Sequence, residues 1–575
     1  MEHRVSDVTL QHPFLKKQLI AYIGNKRALQ GFLAAVFASL PLRAGRTVFL
    51  DPFAGSGAVS RLARYLGYEV LANDWEFYAY VLNRAHLCTD PRELPGLFRE
   101  QGGPQVLLER LNALAEADPP EEYIARHYAP ASTEKADYRT ERLFYTRENG
   151  LRIDSLRAEI ERLYPGFDLA PQKAQEKFLL LSSLLYQAAT HTNTSGVFKA
   201  CHKGFGGHGR DALKRIMAPI CLEPPELYSC DAPAAAFCLE AEEFARGKSG
   251  DICYLDPPYN QHQYGSNYHL LNTIARWDRP PVSAERRADG SLRRKAGIRA
   301  DWTDTRSDYC YAKSALPALR SLLESLDTRF VALSYNSEGI IPLEGLLEIL
   351  NGQGGLRVYS SDYVKYRGGR QSLARQVHNI EILLVLDRRR SPSSRAQREL
   401  ARIVARKHLG LQWRRSYHPD KIKAAFSAGD GEIVADMSGG RRRLRLPMTR
   451  CYRFTAGLPS RLEEELKDLS LEEIEELSAR LENCECANRL EELEVLIGLL
   501  GSSAAENDPD PKELTFYRRR VLILLRKYAH RKYRKEFERS LELLRQLTQE
   551  EPELFGPLEE GLDEIAALAR RRING

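Results

Sequence analysis

Apolar and polar positions follow two periods along this chain, and the chain divides where one period gives way to the other. Residues 47–50 form a short β-rich apolar run, 58–66 are apolar at helical spacing, and 68–72 form a second short run, so residues 1–90 read as helix, strand, helix, strand. Residues 91–225 carry mainly helical patterns separated by Pro and Gly clusters. Strand-like runs return at 252–255, 329–334, 357–366 and 378–386, and the polar stretch 367–376 between the last two suits an antiparallel hairpin. Strands alternating with helices predict an open α/β sheet.

From Arg388 the character changes. Arg389-Arg390-Ser391-Pro392-Ser393-Ser394 has the composition of a linker, and long charged helical patterns follow it. Residues 463–476 hold eight Asp or Glu against the single Lys467, whereas 518–539 hold ten Lys or Arg against Glu536 and Glu538. Both blocks are apolar at helical spacing, through Leu466, Leu469, Ile474 and Leu477 in one and Val521, Leu524, Leu525 and Tyr528 in the other. They read as amphipathic helices with solvated faces, or as a basic face that lies along a phosphate backbone. The expected organisation is a core from 1–90 and 226–390, a helical insertion at 91–225, and a charged, mainly helical region at 391–575.

Composition narrows the class. With 575 residues, 43% hydrophobic and 28% charged, the chain has ample material for a packed core and is not a disordered polymer. The most apolar run, 178–185, is too short to span a bilayer and is broken by Ser182 and Ser183, and His3, Arg4, Asp7, Gln11 and His12 interrupt any secretion-signal core. A cytoplasmic protein without a membrane partner is the expectation. The ten cysteines form no CxxC pair, and Cys484 and Cys486 make a lone CxC, so reduced thiols and no metal site are expected. A net charge of +6 permits a polyanionic partner without demanding one.

Two motifs carry chemistry. Asp51-Pro52-Phe53-Ala54-Gly55-Ser56-Gly57 follows a predicted strand and opens a predicted helix, and Gly55 and Gly57 let a ligand approach the backbone closely. Asp74 ends the next strand, where a carboxylate is placed to bind ribose hydroxyls. The chain has no GxxxxGK[ST] loop, so nothing favours a pyrophosphate over a nucleoside. The second motif is Asp256-Pro257-Pro258-Tyr259, directly after an apolar strand. The prolines stiffen the exit and remove backbone donors, which leaves the Asp256 carboxylate and the Pro257 carbonyl as acceptors for an exocyclic NH₂ group. Tyr259 offers a flat face for a base.

These blocks, with Tyr22-Ile23-Gly24-Asn25-Lys26-Arg27 before them, resemble the Dam-like DNA adenine-N6 methyltransferases in their α-group order. The resemblance covers about residues 10–390 and extends to the blocks at 194–199, 202–207, 264–269 and 334–339. It implies a Rossmann-like sheet holding S-adenosyl-L-methionine, with target recognition in 91–225 and double-stranded DNA as substrate. A cognate restriction endonuclease enters as a candidate partner, and an unpartnered methylase is the other form. Carried over by position, Tyr22 and Lys26 meet the methionine end, Phe53, Gly55 and Gly57 hug the methionine and ribose, and Asp74 takes the ribose hydroxyls. Asp231, after the apolar run 227–230, reaches the adenine amine of the cofactor. Asp256, Pro257 and Tyr259 receive a flipped-out adenine, with Asp256 also close to the cofactor. The basic loop 199–210, with His202, Phe205 and His208, and the cluster Arg293, Arg294, Lys295, Arg299, Trp302 and Arg306 are candidate strand contacts, as is the tail cluster at 441–445. Cytosine-N4 or RNA methylation, or a silent DNA-binding shell, are the alternatives; an aspartate at 256 favours adenine.

Overall fold

The computed structural model describes all residues except 1–9, 44, 118–120, 208–209, 337–338, 365–377, 430, 438–442, 456–468, 503–510 and 574–575. Of the segments singled out above, 366–376, His208, Arg441, Arg442 and 463–468 therefore lie outside the described residues. The chain forms two compact units, Met1–Ala396 and Gln397–Gly575.

A seven-stranded sheet organises the first unit. Its strands are β1 (Val48–Asp51), β2 (Glu69–Asn73), β3 (Ala234–Phe237), β4 (Ser249–Leu255), β5 (Asp327–Asn336), β6 (Gly355–Val364) and β7 (His378–Asp387), in the spatial order β3-β2-β1-β4-β5-β7-β6. β1 to β5 pair in parallel, and β7 runs antiparallel to both β5 and β6. Ile252, Cys253, Tyr254 and Leu255 are all buried, which is why β4 is a continuous apolar run rather than an alternating one. Strand order reverses between β1 and β4, so a crevice opens beyond their carboxyl ends, where such sheets bind ligands. This is the open α/β sheet that the alternation of strands and helices predicts, in the Rossmann-like form that the resemblance implies.

Helices α1 (Ala58–Tyr65) and α2 (Phe77–Leu87) follow β1 and β2. Between α2 and β3 lies a helical segment whose apolar core, to which α3 (Arg147–Leu163) and α4 (Pro171–Thr190) contribute Ile153, Leu156, Leu181 and Leu184, is shared with Val81 and Leu82 of α2 and with Leu270 and Ile274. α4 contains the apolar run 178–185. Its serines are satisfied inside the protein: Ser182 donates to the Leu179 carbonyl and Ser183 to the Glu223 carbonyl. Among the described residues no helix is long and apolar enough to cross a membrane.

In the second unit, an antiparallel sheet of β8 (Ser427–Gly429), β9 (Glu432–Asp436), β10 (Arg443–Thr449) and β11 (Arg453–Phe454) accompanies the helices. The expectation of a helical region misses this sheet. Its signal is the alternation of buried Leu444, Leu446 and Met448 with exposed Arg443 and Arg445, a strand period inside what reads as a basic cluster. Four helices, α5 (Arg489–Ser502), α6 (Pro511–Tyr528), α7 (Arg534–Glu550) and α8 (Glu559–Ile573), share a second core that includes Leu493, Tyr517, Leu525, Phe537 and Ile565.

Candidate active site

A cavity of about 290 Å³ opens at the carboxyl edge of the sheet, walled by the ends of β1, β2, β3 and β4 and by the 22–26 segment. Tyr22, Lys26, Phe53, Gly55, Asp74, Asp256, Pro257 and Tyr259 all line it. Gly57 and Asp231 do not.

The turn after β1 is built around two glycines with positive φ. At Gly55 (φ 51°) an added Cβ would stand 2.8 Å from the Tyr22 ring, so close packing of that ring requires glycine. At Gly57 (φ 81°) an added Cβ would meet Asn83 Oδ1 at 2.7 Å, away from the cavity. Gly57 is the N-cap of α1 and serves the turn itself. The Asp74 carboxylate accepts the backbone N–H groups of Gly55 at 2.8 Å and Glu76 at 2.9 Å, which fixes the turn after β1 to the end of β2. Burial pushes Asp74 up to about 7 against these two hydrogen bonds. Asp51 is fully buried, accepts the Ser60 hydroxyl at 2.6 Å, and is also pushed up to about 7 by burial. Its Oδ1 is buried with no hydrogen-bond partner among the described residues.

Tyr22 stacks on Tyr268 with ring centroids 5.0 Å apart and tilts against Tyr264 at 5.2 Å. Tyr264 and Tyr268 also hold the backbone of Ile23: the Tyr264 hydroxyl donates to its carbonyl, and its N–H donates to the Tyr268 oxygen.

Lys26 has company that its sequence position does not predict. Its ammonium is buried, 2.5 Å from Glu381 Oε1 and 3.1 Å from Asp256 Oδ1, and it lies 5.2 Å from the Tyr259 ring centroid. Burial alone would lower its pKa; Asp256 and Glu381 raise it well above the ordinary lysine value, so it is a fixed cation. Ser334 donates to the same Glu381 oxygen at 2.8 Å. Burial pushes Asp256 up to about 7, with Lys26 pulling down and Glu381 pushing up. Glu381 is the residue sequence reasoning misses. The available signal is a lone acid within the apolar strand Asn379-Ile380-Glu381-Ile382-Leu383-Leu384.

Asp231 is a correction. The run 227–230 is not a strand; Pro224, Pro225 and Pro233 bracket it, and β3 begins only at Ala234. Asp231 therefore precedes β3, its side chain is 94% exposed, and it pairs with Arg92 at 3.0 Å. At the carboxyl end of β3 it is Leu239 and Glu240 that line the cavity. Arg299 is a second correction: it is buried between Asp278 at 2.5 Å and Asp301 at 2.6 Å, so it braces the loop rather than reaching for phosphate. Arg306 does line the cavity, over the Trp302 ring. The loop 199–210 and the 293–295 cluster meet across one ring: Lys203 lies 5.5 Å and Lys295 5.1 Å from the Tyr138 centroid.

Strand order, the glycine turn and the Lys26-paired Asp256 together define a nucleoside-binding transferase sheet of the methyltransferase kind. The chain belongs to the D12 class N6 adenine-specific DNA methyltransferases, whose family model matches residues 22–344. It is 31% identical over 353 residues to the type II methyltransferase M.NlaIII of Neisseria lactamica, covering 60% of this chain and 92% of that one. It is 29% identical over 367 residues to the modification methylase LlaI of Lactococcus lactis subsp. lactis, covering 63% and 54% respectively. For the type II methyltransferase M.FokI of Planomicrobium okeanokoites the figures are 28% over 337 residues, 58% and 47%. The chain thus spans about half the length of the last two.

Proposed function

We propose that this chain is the modification methylase of a restriction–modification system, transferring a methyl group from S-adenosyl-L-methionine to N6 of an adenine flipped out of duplex DNA. The observation that carries this reading is the Asp256 carboxylate, ion-paired to buried Lys26 and lining the same cavity as the glycine turn. The names of the relatives, type II methyltransferase and modification methylase, support a cognate restriction endonuclease as partner.

The residues present fit the cofactor. Carboxylates (buried Asp51, Asp74 and Glu76, and the partly exposed Asp256) outnumber the cations on the cavity wall, which suits a positively charged ligand. The unpartnered Asp51 Oδ1 suits an ammonium group. Tyr22, Phe53, Gly55 and Asp74 would hold the group, which when bound supplies an electrophilic methyl on a sulfonium. Lys26 is already shared by two carboxylates, so its first duty lies with Asp256 rather than with a cofactor carboxylate.

Extrusion of the base costs a few kcal/mol and brings the amine within reach. Asp256 and the Pro257 carbonyl accept the two N6 hydrogens, which draws the nitrogen lone pair out of the ring and aims it. Tyr259 stacks on the base, worth about 1–3 kcal/mol. Most of the catalytic effect is positioning. After transfer Asp256 holds the departing proton at its carboxylate. Lys203 and Lys295, gathered at Tyr138, contact the DNA backbone, and residues 91–225 read the target sequence.

The test is nucleoside mass spectrometry of mixed-sequence duplex DNA incubated with the protein and S-adenosyl-L-methionine. New N6-methyladenine is expected. N4-methylcytosine instead would keep the positioning chemistry and overturn the base, and no methylated base would overturn the reading for DNA.

A further inference from the structure

The ten-cation block at 518–539 is not used by the active site. In the second unit its later part, Arg526 to Arg539, is gathered with a separate run, Arg570 to Arg572, at one pole of the four-helix bundle, whereas Arg518 to Arg520 lie towards the other end. The register follows from three contacts between α6 and the chain that leads into and forms α8. Arg518 donates to the Leu554 carbonyl, Leu522 packs on Gly561, and Arg526 pairs with Glu564 at 3.3 Å. Both partners advance together, so α6 and α8 run parallel. α7 starts just past the end of α6 and runs back, since Arg545 pairs with Asp563 at 2.7 Å. At ~1.5 Å per residue, the first turn of α7 and the last turn of α8 come level beyond the end of α6.

At that pole Lys527, Arg531, Lys532, Lys535, Arg571 and Arg572 are exposed, and none has an ion-pair partner among the described residues. Tyr533 stands among them, 37% exposed. Only Arg526 and Arg534 are neutralised, by Glu564 and Glu538. The opposite pole carries Glu550, Glu551, Glu559 and Glu560. Cations thus predominate at the first pole, where Glu536, Glu538 and Glu564 are acids among them, and acids predominate at the other, where Arg518 lies beside Glu553 and Leu554; solubility alone would favour an even mixture. Helix stability does not explain the sorting either. Cations suit the final turns of α6 and α8, but in the first turn of α7 they oppose the helix dipole.

We propose that this pole is a second DNA-binding surface, gripping the phosphate backbone of duplex DNA without reading its sequence. The identity of the polyanion rests on the DNA-methylating reading; the existence of the surface does not. Lys and Arg spread over three exposed helix ends, with one aromatic ring among them, fit repeated phosphates rather than a single small anion.

The test is equilibrium binding of the full chain to a duplex lacking any methylation site, measured against salt concentration and without cofactor, so that methyl transfer plays no part. The variant Lys527→Gln/Arg531→Gln/Lys535→Gln/Arg571→Gln should weaken binding at low salt by about 10-fold or more. Its log–log salt slope should flatten by up to about 3.6, since each of the four lost phosphate contacts removes about 0.9. The opposite-pole variant Glu550→Gln/Glu559→Gln controls for folding and should leave the slope unchanged. An unaltered slope in the quadruple variant overturns the proposal, as does a loss of affinity for single-stranded RNA with none for duplex DNA. A flattened slope in a chain that methylates no DNA would sustain the surface and sink the methylase reading alone.

Discussion

The active-site cavity and the basic pole of the second unit each hold a surplus of one charge, and they hold it in opposite ways. In the cavity Asp51 and Asp74 are buried and Asp256 nearly so, and each is fixed through at least one oxygen by backbone N–H groups, a hydroxyl or a shared ammonium. Water and salt screen them little, so each charge acts at a definite atom. At the pole Lys527, Arg531, Lys532, Lys535, Arg571 and Arg572 stand on exposed side chains, paired with no carboxylate among the described residues, where salt screens them within about 10 Å. The first arrangement can orient and polarise a bound group. The second can only raise affinity, and only while salt is low. A similar surplus of charge therefore yields chemistry in one place and adhesion in the other.

Perturbing the buried side should give the largest effects. Asp256→Ala should lower methyl transfer on the order of 10³-fold with cofactor binding retained, as loss of a positioned polar group in a water-excluded site does; full activity would refute the positioning role. Glu381→Gln should lower kcat by about 10²-fold, the scale of a small misplacement of the reacting groups. It should also act through Lys26, so that Lys26→Met/Glu381→Gln is no slower than Lys26→Met. If the two losses multiply instead, the residues act independently.

The pH profile sharpens the same point. Asp256 is held up to about 7, chiefly by burial, and must be ionised to accept N–H donors, so activity should rise as pH rises through 7. Removing the Glu381 charge should move that limb to lower pH, and removing the Lys26 charge should move it higher. Stability runs the other way. Asp51, Asp74 and Asp256 have folded values raised above their unfolded ones, so their contribution is full below the unfolded value near 4 and is lost as pH rises towards 7. A cationic ligand should therefore raise the Tm more at about pH 8 than at about pH 5.5, measurable by thermal melting with and without the cofactor.

Smaller effects follow. Gly55→Ala forces a Cβ to within 2.8 Å of the Tyr22 ring at a positive φ, and should raise the cofactor Kd roughly 10-fold. Lys203→Ala with Lys295→Ala should weaken DNA binding only a few-fold, with the loss vanishing at high salt. A loss that persists at high salt would mean the pair does more than meet phosphate.

The glycine turn and Asp256-Pro257-Pro258-Tyr259 are legible in the sequence because each is a strand followed by its own turn, and local rules place both at one sheet edge. Glu381 is not, because its partners come from strands distant in sequence, and periodicity says nothing about which strands are neighbours. Asp231 misleads for a related reason: an apolar run among prolines resembles a strand until the neighbouring β3 claims the sheet position. Basic residues mislead in another way, since sequence does not separate a buried brace such as Arg299 from an exposed cation such as Lys203. In the second unit the alternation of Leu444, Leu446 and Met448 is hidden by the arginines between them.

The reversal of β7 has a consequence for how such a site can change over time. A parallel strand delivers its last residues to the functional edge, where the loops vary freely. β7 delivers its opening residues there, and Glu381 sits opposite Asn336 near the end of β5. The counter-charge for Lys26 is thus anchored in hydrogen-bonded sheet on both flanks, through Asn336 and Ser361. Loops around the cavity can change without moving this contact, because the ionic heart of the pocket stays pinned to the scaffold.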